Sequence, residues 1–320
     1  MKQPRSPREL KTLDGVSIAF GTPRSLPRPG VLPGRVVVLD IAFAAESGGH
    51  KHGFLHTTKR FIDALGARLA AWIDHHDSVH HRSFTGDARF VLTSKAEHGA
   101  CPELVTPELV RGIGAIDTIV CHTDFDGIAS AAKWLRGGVE PYPGCDDDAR
   151  AIDTRIGTPS ETAARIDRAI RAKTRDESLA FDVLTLLTSG LTDAPSAARI
   201  AAAASELEPR EREAERLALG YEQVTSELVL VDIGPADARA PFDKTWLLLL
   251  GQAKSKMAVV VEPDTATFAA PFDSGVDFVS LFGFSGGMPT LVSIHRPELA
   301  RALSTLGCAS ELVARYVVKS

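Results

Sequence analysis

The sequence has little of what marks secreted, membrane-spanning or duplex-binding proteins. Its four cysteines are scattered, with no CxxC pair, which favours reduced thiols in a cytosolic protein. No apolar run approaches the length that crosses a bilayer, and the beginning of the chain has charge and proline in place of an apolar signal core. The net charge of −5 argues against a basic face for duplex nucleic acid. We therefore expect a cytoplasmic protein with neither a membrane nor a duplex as its partner.

The composition supports an ordinary globular core, with 44% hydrophobic and 24% charged residues over 320 positions. The length suits two domains. The pattern predicts an α/β fold, with a mostly parallel sheet flanked by helices and a smaller α+β domain at the C-terminus. The expected boundaries are a proline- and arginine-rich extended arm over 1–34, a main domain over 35–195, a helical connector over 196–225 and the C-terminal domain over 226–320.

Three apolar stretches end abruptly in ionisable side chains. The run over 35–39 ends at Asp40, the run over 69–73 ends at Asp74-His75-His76, and the run over 117–121 leads into His122-x-Asp124-x-Asp126. Apolar strands of this kind deliver such groups to the carboxyl edge of a parallel sheet, where ligands bind in open α/β folds. The glycine at 127 then allows a tight turn into a helix, whose N-terminus favours an anion such as phosphate.

The remaining segments are assigned by periodicity. We expect a helix over about 57–69, and a change to β-rich sequence from residue 226. The acidic run over 146–148 is typical of a solvated loop. Strands are predicted over 227–233, 245–250, 258–262, 266–270 and 277–282.

A mixed set of carboxylates and imidazoles suits Mn²⁺ or a similar octahedral ion better than a structural zinc. One carboxylate shared by two ions would place them roughly 3.5–4 Å apart, the spacing used in two-metal phosphoester hydrolysis. Each motif alone has a plainer explanation, since Asp-His-His can be a surface turn and Asp126 can be part of a helix cap. The three motifs together favour a metal centre.

Together, Asp74-His75-His76, Asp124-Phe125-Asp126-Gly127-Ile128-Ala129-Ser130 and Val36–Asp40 resemble the DHH phosphoesterase superfamily. The resemblance implies that Asp124 binds one metal, Asp126 the other, and Asp40 bridges them. It also implies that His75 binds the second metal, and that His76, beside Asp74, faces the phosphate. Further residues that the resemblance suggests are His122 as a ligand, Asp193 (or else Asp182) as the last metal carboxylate, and Ser285, Gly286 and Gly287 as a glycine-rich substrate loop. Independently of the resemblance, Arg155, which follows the acidic run, is a candidate phosphate contact.

The chain departs from the family pattern in three ways. The family usually places the Asp-x-Asp strand first, whereas here it comes after Asp40 and Asp-His-His, which suggests a circular permutation. Pyrophosphatase-like members have a histidine four residues before the first Asp, where this chain has Val120; His122 lies two before. The loop over 285–289 lacks the histidine that is usual in the glycine-rich signature.

The sequence thus predicts a hydrolase, a two-metal phosphoesterase that acts on a small nucleotide-type phosphodiester or phosphomonoester. Candidates are a short single-stranded oligonucleotide, a cyclic dinucleotide or a nucleoside bisphosphate. The alternatives are a pyrophosphatase or polyphosphatase, and an inactive relative that only binds nucleotide. Two Mn²⁺ ions are the expected cofactor, with Mg²⁺ or Co²⁺ as options. The sequence leaves open the natural substrate and the oligomeric state, a homodimer included.

Overall fold

A six-stranded sheet organises the first part of the chain in the computed structural model, which describes residues 10–45, 53–234 and 240–316. The chain divides into two compact units, residues 1–203 (the first unit) and 204–320 (the second unit). The strands of the first unit are β1 (Lys11–Leu13), β2 (Val16–Phe20), β3 (Val36–Leu39), β4 (Leu69–Asp74), the two-residue β5 (Asp77–Ser78), β6 (Phe90–Leu92) and β7 (Thr118–Cys121).

The strand order is β1-β2-β7-β3-β4-β6, and every pair from β2 to β6 is parallel. Strands β3 and β7 are buried along their whole length, as expected where helices cover both faces of a parallel sheet. The indole of Trp72 on β4 is fully buried and donates a hydrogen bond to the Ile41 carbonyl, 3.0 Å away, which fixes the chain just after β3. The predicted mostly parallel α/β sheet is confirmed.

The N-terminal segment differs from the extended arm expected over 1–34. Residues 1–9 lie outside the described part, but β1 and β2 form an antiparallel hairpin, and β2 pairs with β7 from Ser17↔Thr118 to Phe20↔Cys121. The prolines at 23, 27, 29 and 33 suggested an arm, yet all of them follow β2. The apolar stretch Val16–Phe20 is therefore free to join the sheet.

Helices surround this sheet. A π-helical turn over Leu55–Lys59 runs into the first helix, which ends at Gly66, well before the predicted limit of 69. The acidic run over 146–148 forms the first turn of a helix and not a loop, and the Asp148 carboxylate accepts hydrogen bonds from Ser160 and Tyr142. The helices are α1 (Arg60–Leu65), α2 (Pro107–Ile113), α3 (Phe125–Leu135), α4 (Cys145–Thr154), α5 (Glu161–Ala172), α6 (Glu177–Thr188) and α7 (Ala194–Ser205), which leads into the second unit.

The second unit is built on a five-stranded sheet. Its strands are β8 (Glu222–Thr225), β9 (Leu228–Asp232), β10 (Met257–Val261), β11 (Thr265–Ala269) and β13 (Leu291–His295), with the two-residue β12 (Gly286–Gly287) before the last. Their order is β13-β11-β10-β9-β8, and only β9 and β10 are parallel. Alternate residues of β9 and β10 enter two apolar cores, one on each face.

Two predicted strands of the second unit are helices. The stretch 245–250 lies in α9, where the Asp243 side chain caps the helix by accepting from the Trp246 amide. The stretch 277–282 forms α10, capped in the same way by Asp277. A short apolar run does not distinguish a buried helix from a buried strand, and the capping carboxylates were the overlooked signal. The helices are α8 (Glu208–Ala218), α9 (Lys244–Gln252), α10 (Phe278–Phe282), α11 (Leu299–Thr305) and α12 (Ser310–Ala314).

None of the helices found in the described ranges is both long and apolar enough to cross a membrane.

Candidate metal centre

The carboxyl ends of neighbouring parallel strands bring the predicted residues of the first unit together. The Nε2 atom of His75, just after β4, lies 3.3 Å from Asp40 Oδ1, just after β3. The same atom lies 3.2 Å from Asp126 Oδ2, in the first turn of α3. On the other side of Asp40, the Nδ1 atom of His122 lies 3.8 Å from Oδ2. Residues up to 86 positions apart in the sequence therefore share one small volume, because β3 lies between β4 and β7.

This volume contains three groups whose ligand atoms lie within 4.8 Å of one another. Asp40 is shared by two of them, and His75 is also shared by two; the bridging role of Asp40 stays a prediction. The groups, found among the residues that the structure describes, are Asp40 with His75 and His76, Asp40 with His122 and Asp124, and His75 with Asp126 and Asp153.

Asp40 is the side chain that most clearly requires a cation. It is fully buried, and neither carboxylate oxygen forms a hydrogen bond with any residue in the described ranges. Burial, together with the negative charges of Asp126 and Asp124, raises the pKa of Asp40 well above its usual value. Its backbone is also held at φ +55°, a left-handed conformation that costs free energy for a residue with a side chain. A divalent ion would accept both oxygens as ligands and offset the repulsion among Asp40, Asp124 and Asp126, so the residues present fit a metal.

His75 is oriented as a metal ligand should be. Its Nδ1 atom lies 2.9 Å from the backbone carbonyl of His98, to which it donates, and this directs Nε2 toward the carboxylates. An outer hydrogen bond of this kind is usual for metal-binding histidines. Burial alone would lower the pKa of His75, but the close contacts of its Nε2 atom with the Asp126 and Asp40 carboxylates raise it to about 10. The carboxylates thus stabilise the protonated, positively charged form of the imidazole.

The beginning of α3 holds the second imidazole. Asp124 caps this helix by accepting from the Gly127 amide at 3.3 Å, and its other oxygen lies 2.5 Å from His122 Nδ1. A Cβ atom at Gly127 would lie 2.9 Å from the carbonyl oxygen of His122, so the close approach needs glycine. Burial opposes protonation of His122, yet Asp124 and Asp40 raise its pKa to about 9. His122 therefore belongs to the centre.

The ring of His76 lies edge-on to that of His75, with the ring centroids 4.8 Å apart, and it is held by the carboxylate of Asp74. Its Nδ1 atom lies 2.8 Å from Asp74 Oδ1. Burial would raise the pKa of the fully buried Asp74, but the charge and hydrogen bond of His76 lower it below its usual range. The pair of Asp74 and His76 is a carboxylate that orients an imidazole, the arrangement used to position a histidine at a reacting group.

Two residues of the centre were missed by sequence reasoning. Asp153 lies in the last turn of α4, and nothing in the acidic pattern around it distinguishes it from its neighbours. Lys95 follows β6, and its buried ammonium contacts Asp153 and lies 3.2 Å from His75 Nε2. The rule that ionisable groups follow buried strands does not identify Lys95, because β6 is only half-buried, although it pairs with β4.

The other predicted site residues belong to none of the three groups. Asp193 caps α7 by accepting from the Ser196 amide at 2.9 Å. The carboxylate that joins Asp40, Asp124 and Asp126 in these groups is Asp153, not Asp193. Asp182 forms an ion pair with Arg199. The guanidinium of Arg155 lies 3.6 Å from Asp167. Ser285, Gly286 and Gly287 lie in the second unit, and their part in substrate binding stays a prediction.

No family model matches the sequence, and no curated protein matches it. Among solved structures, a pGpG-specific phosphodiesterase, PggH from Vibrio cholerae, is similar with a TM-score of 0.39 and 12% identity, over 66% of this chain and 98% of that one. Exonuclease RecJ bound to manganese is similar with a TM-score of 0.41 and 12% identity, over 88% of this chain and 75% of that one. At this sequence identity and TM-score, neither similarity indicates the substrate, the metal or the reaction of this chain. Only the geometry of the site bears on them.

Proposed function

We propose that the chain is a metal-dependent hydrolase of small nucleotide-type phosphodiesters or phosphomonoesters. The observation that carries the proposal is the buried carboxylate of Asp40, which has no hydrogen bond within the described ranges and lies among three imidazoles and three further carboxylates. A protein that only binds nucleotide has no need to assemble these groups around a buried carboxylate of this kind. Substrates of the expected size are short oligonucleotides, cyclic dinucleotides and nucleoside bisphosphates.

Mn²⁺ is the ion that we propose, and Asp40, His122 and Asp124 would hold it. Carboxylate oxygens and imidazole nitrogens together suit such an ion. When bound, it supplies Lewis-acid stabilisation of phosphoryl oxygens and a more acidic water. The group of His75, Asp126 and Asp153 offers a second cation position, but Lys95 already lies there, so a second divalent ion would have to displace an ammonium.

The chain's own groups around the ion have distinct tasks. The free N–H groups at the start of α3 favour an anionic phosphate near Asp124. His76 is one-fifth exposed and held by Asp74, so it is placed to hydrogen-bond a phosphate oxygen or to pass a proton to a leaving group. We further propose that residues 226–320, with Gly286 and Gly287, contribute to substrate binding.

A panel of substrates with added Mn²⁺ tests the proposal. It contains bis-nitrophenyl phosphate, cyclic dinucleotides, linear dinucleotides, a nucleoside bisphosphate and pyrophosphate. We expect Mn²⁺-stimulated release of product from at least one nucleotide-type ester. Turnover of pyrophosphate alone would move the assignment to a pyrophosphatase, and nucleotide binding without turnover of any compound would indicate an inactive relative.

Two variants make the panel decisive. Asp124→Asn removes a carboxylate of the proposed metal group and should abolish the activity. Asp182→Asn removes a carboxylate of the same unit that is paired with Arg199 away from the centre, and it should leave the activity intact. Equal activity in both variants would indicate a contaminating phosphatase or a different site.

A further inference from the structure

Lys95 is the feature of the centre that the proposed function does not use. Its side chain is 2% exposed, and its ammonium forms an ion pair with Asp153. The same nitrogen lies 3.2 Å from His75 Nε2. These two partners are members of the group of His75, Asp126 and Asp153, so the ammonium lies where a cation held by that group would lie.

The position of Lys95 is set by backbone contacts with the centre itself. Strand β6 pairs with β4 up to Asp74↔Leu92, and the Thr93 amide donates to the Asp74 carbonyl at 3.0 Å. The chain then turns, with the amide of His98 bonded to the Ser94 carbonyl at 3.0 Å. The His98 carbonyl in turn accepts from His75 Nδ1. The turn that carries Lys95 is thus fixed to the strand and to the imidazole that its ammonium approaches.

The two cation positions differ in exposure. In the group with Lys95, the side chains of His75, Asp126 and Asp153 are 0%, 4% and 19% exposed. In the group of Asp40, His122 and Asp124, Asp40 is fully buried, but His122 is 27% and Asp124 42% exposed. Within the described residues, no lysine or arginine is paired with Asp40, His122 or Asp124. The closed position therefore contains a resident ammonium, and the open position is the one that solvent and a divalent ion can reach.

We propose that the Lys95 ammonium permanently replaces one of two divalent ions, so that the centre binds a single metal ion, at Asp40, His122 and Asp124. An ammonium has three donors and no acceptor, which suits a position lined by carboxylate oxygens. A divalent ion in the same position would meet a like charge at close range. The inference rests on the proposed function, because it concerns the metal content of the same site.

Metal stoichiometry and electron paramagnetic resonance test the proposal without relying on activity. The purified chain is saturated with Mn²⁺, the bound ions are counted by calorimetry and elemental analysis, and the spectrum is recorded. We expect one Mn²⁺ per chain with the signal of an isolated ion. In Lys95→Met the second position loses its ammonium, and two ions with the signal of an exchange-coupled pair are expected.

Matched variants separate the charge of Lys95 from general effects of burial. Lys133 is also buried and ion-paired, but its partner Asp146 belongs to none of the three groups, so Lys133→Met should keep one ion. Asp153→Asn should also keep one ion, because its partner in the protein is Lys95. Circular dichroism confirms that each variant is folded.

Each outcome has a distinct meaning. Two coupled ions in the unaltered chain would overturn the proposal whether or not any variant folds, and so would a folded Lys95→Met protein that still binds one. Absence of any bound Mn²⁺ in the unaltered chain would overturn the proposed function itself, and the role of Lys95 with it.

Discussion

Asp40 combines full burial, a left-handed backbone and a carboxylate without a hydrogen bond among the described residues. Its raised pKa means that the folded protein disfavours the ionised form. A carboxyl group whose pKa is higher in the folded than in the unfolded state lowers the free energy of unfolding at any pH where it is ionised. Asp40 therefore destabilises the metal-free folded protein, and we expect a bound ion to offset this destabilisation.

Asp40→Asn should separate stability from activity. Without metal, we expect the free energy of unfolding at neutral pH to rise by about 1–3 kcal/mol, the range for an unmatched buried polar group. Mn²⁺-stimulated hydrolysis should fall about 10³-fold, because an ion contributes several kcal/mol to the transition state. Urea unfolding in chelator and assays in Mn²⁺ measure the two effects. A variant that is less stable without metal and keeps full activity with Mn²⁺ would contradict both expectations.

The sequence predicts Asp40, His75, Asp124 and Asp126 because each follows a buried apolar run. It does not predict Asp153, which reaches the centre only because α4 packs with α3 against the end of the sheet. That position depends on the tertiary packing of a helix, and no local pattern encodes it.

The start of α3 depends on a single small residue. At Gly127 a Cβ atom would lie 2.8 Å from His122 Cβ and 2.9 Å from the His122 carbonyl oxygen. Gly127→Ala should lower the free energy of unfolding by about 1–3 kcal/mol. It should also weaken Mn²⁺ binding about 10–100-fold, as do other disturbances around ligands. Denaturant unfolding and calorimetry measure these effects.

Gly112 in α2 is the matched control for this substitution. A Cβ atom there meets nothing within 4 Å, so Gly112→Ala should raise the free energy of unfolding by up to about 1 kcal/mol and leave Mn²⁺ affinity unchanged. Similar losses in both variants would mean that the contacts of Gly127 do not matter.

Two helix caps, Asp124 and Asp193, are both predicted metal ligands, but only Asp124 belongs to one of the three groups. Asp124 caps α3 and Asp193 caps α7, each through a side-chain oxygen that accepts from the amide three residues on. Replacing either by Ala should cost about 1 kcal/mol of stability. Only Asp124→Ala should also lose Mn²⁺ binding in calorimetry. Loss of binding in Asp193→Ala would restore Asp193 as the last metal carboxylate.

The elements differ in how well the sequence predicts them, for a physical reason. The continuous β-branched run of β3 has few alternatives to a buried parallel strand. The leucines over 247–250 serve a helix or a strand equally well, and the Asp243 cap decides between them. The parallel arrangement then brings the strand ends to one edge of the sheet. Most residues of the centre can therefore be predicted from a few local sequence patterns.

In the protein as a whole, the order of motifs along the chain matters less than the order of strands in the sheet. Strand β7, which carries the Asp-x-Asp motif, comes after β4 in the sequence but lies beside β3. Asp40 consequently faces His75 on one side and His122 on the other. The circular permutation that the motif order suggests stays a prediction, but the arrangement of strands provides the neighbours that it requires.

A bound ion should stabilise the first unit of 203 residues through mass action. At a Mn²⁺ concentration about 100 times the dissociation constant, the gain is about 2.7 kcal/mol. For a unit of this size that raises the Tm by about 5–10 °C. Thermal scans with Mn²⁺ and then with excess chelator should show the shift and its reversal. Asp124→Asn lacks a ligand of the open position, so its Tm should not respond to Mn²⁺. An equal shift in that variant would place the stabilising ion outside the group of Asp40, His122 and Asp124.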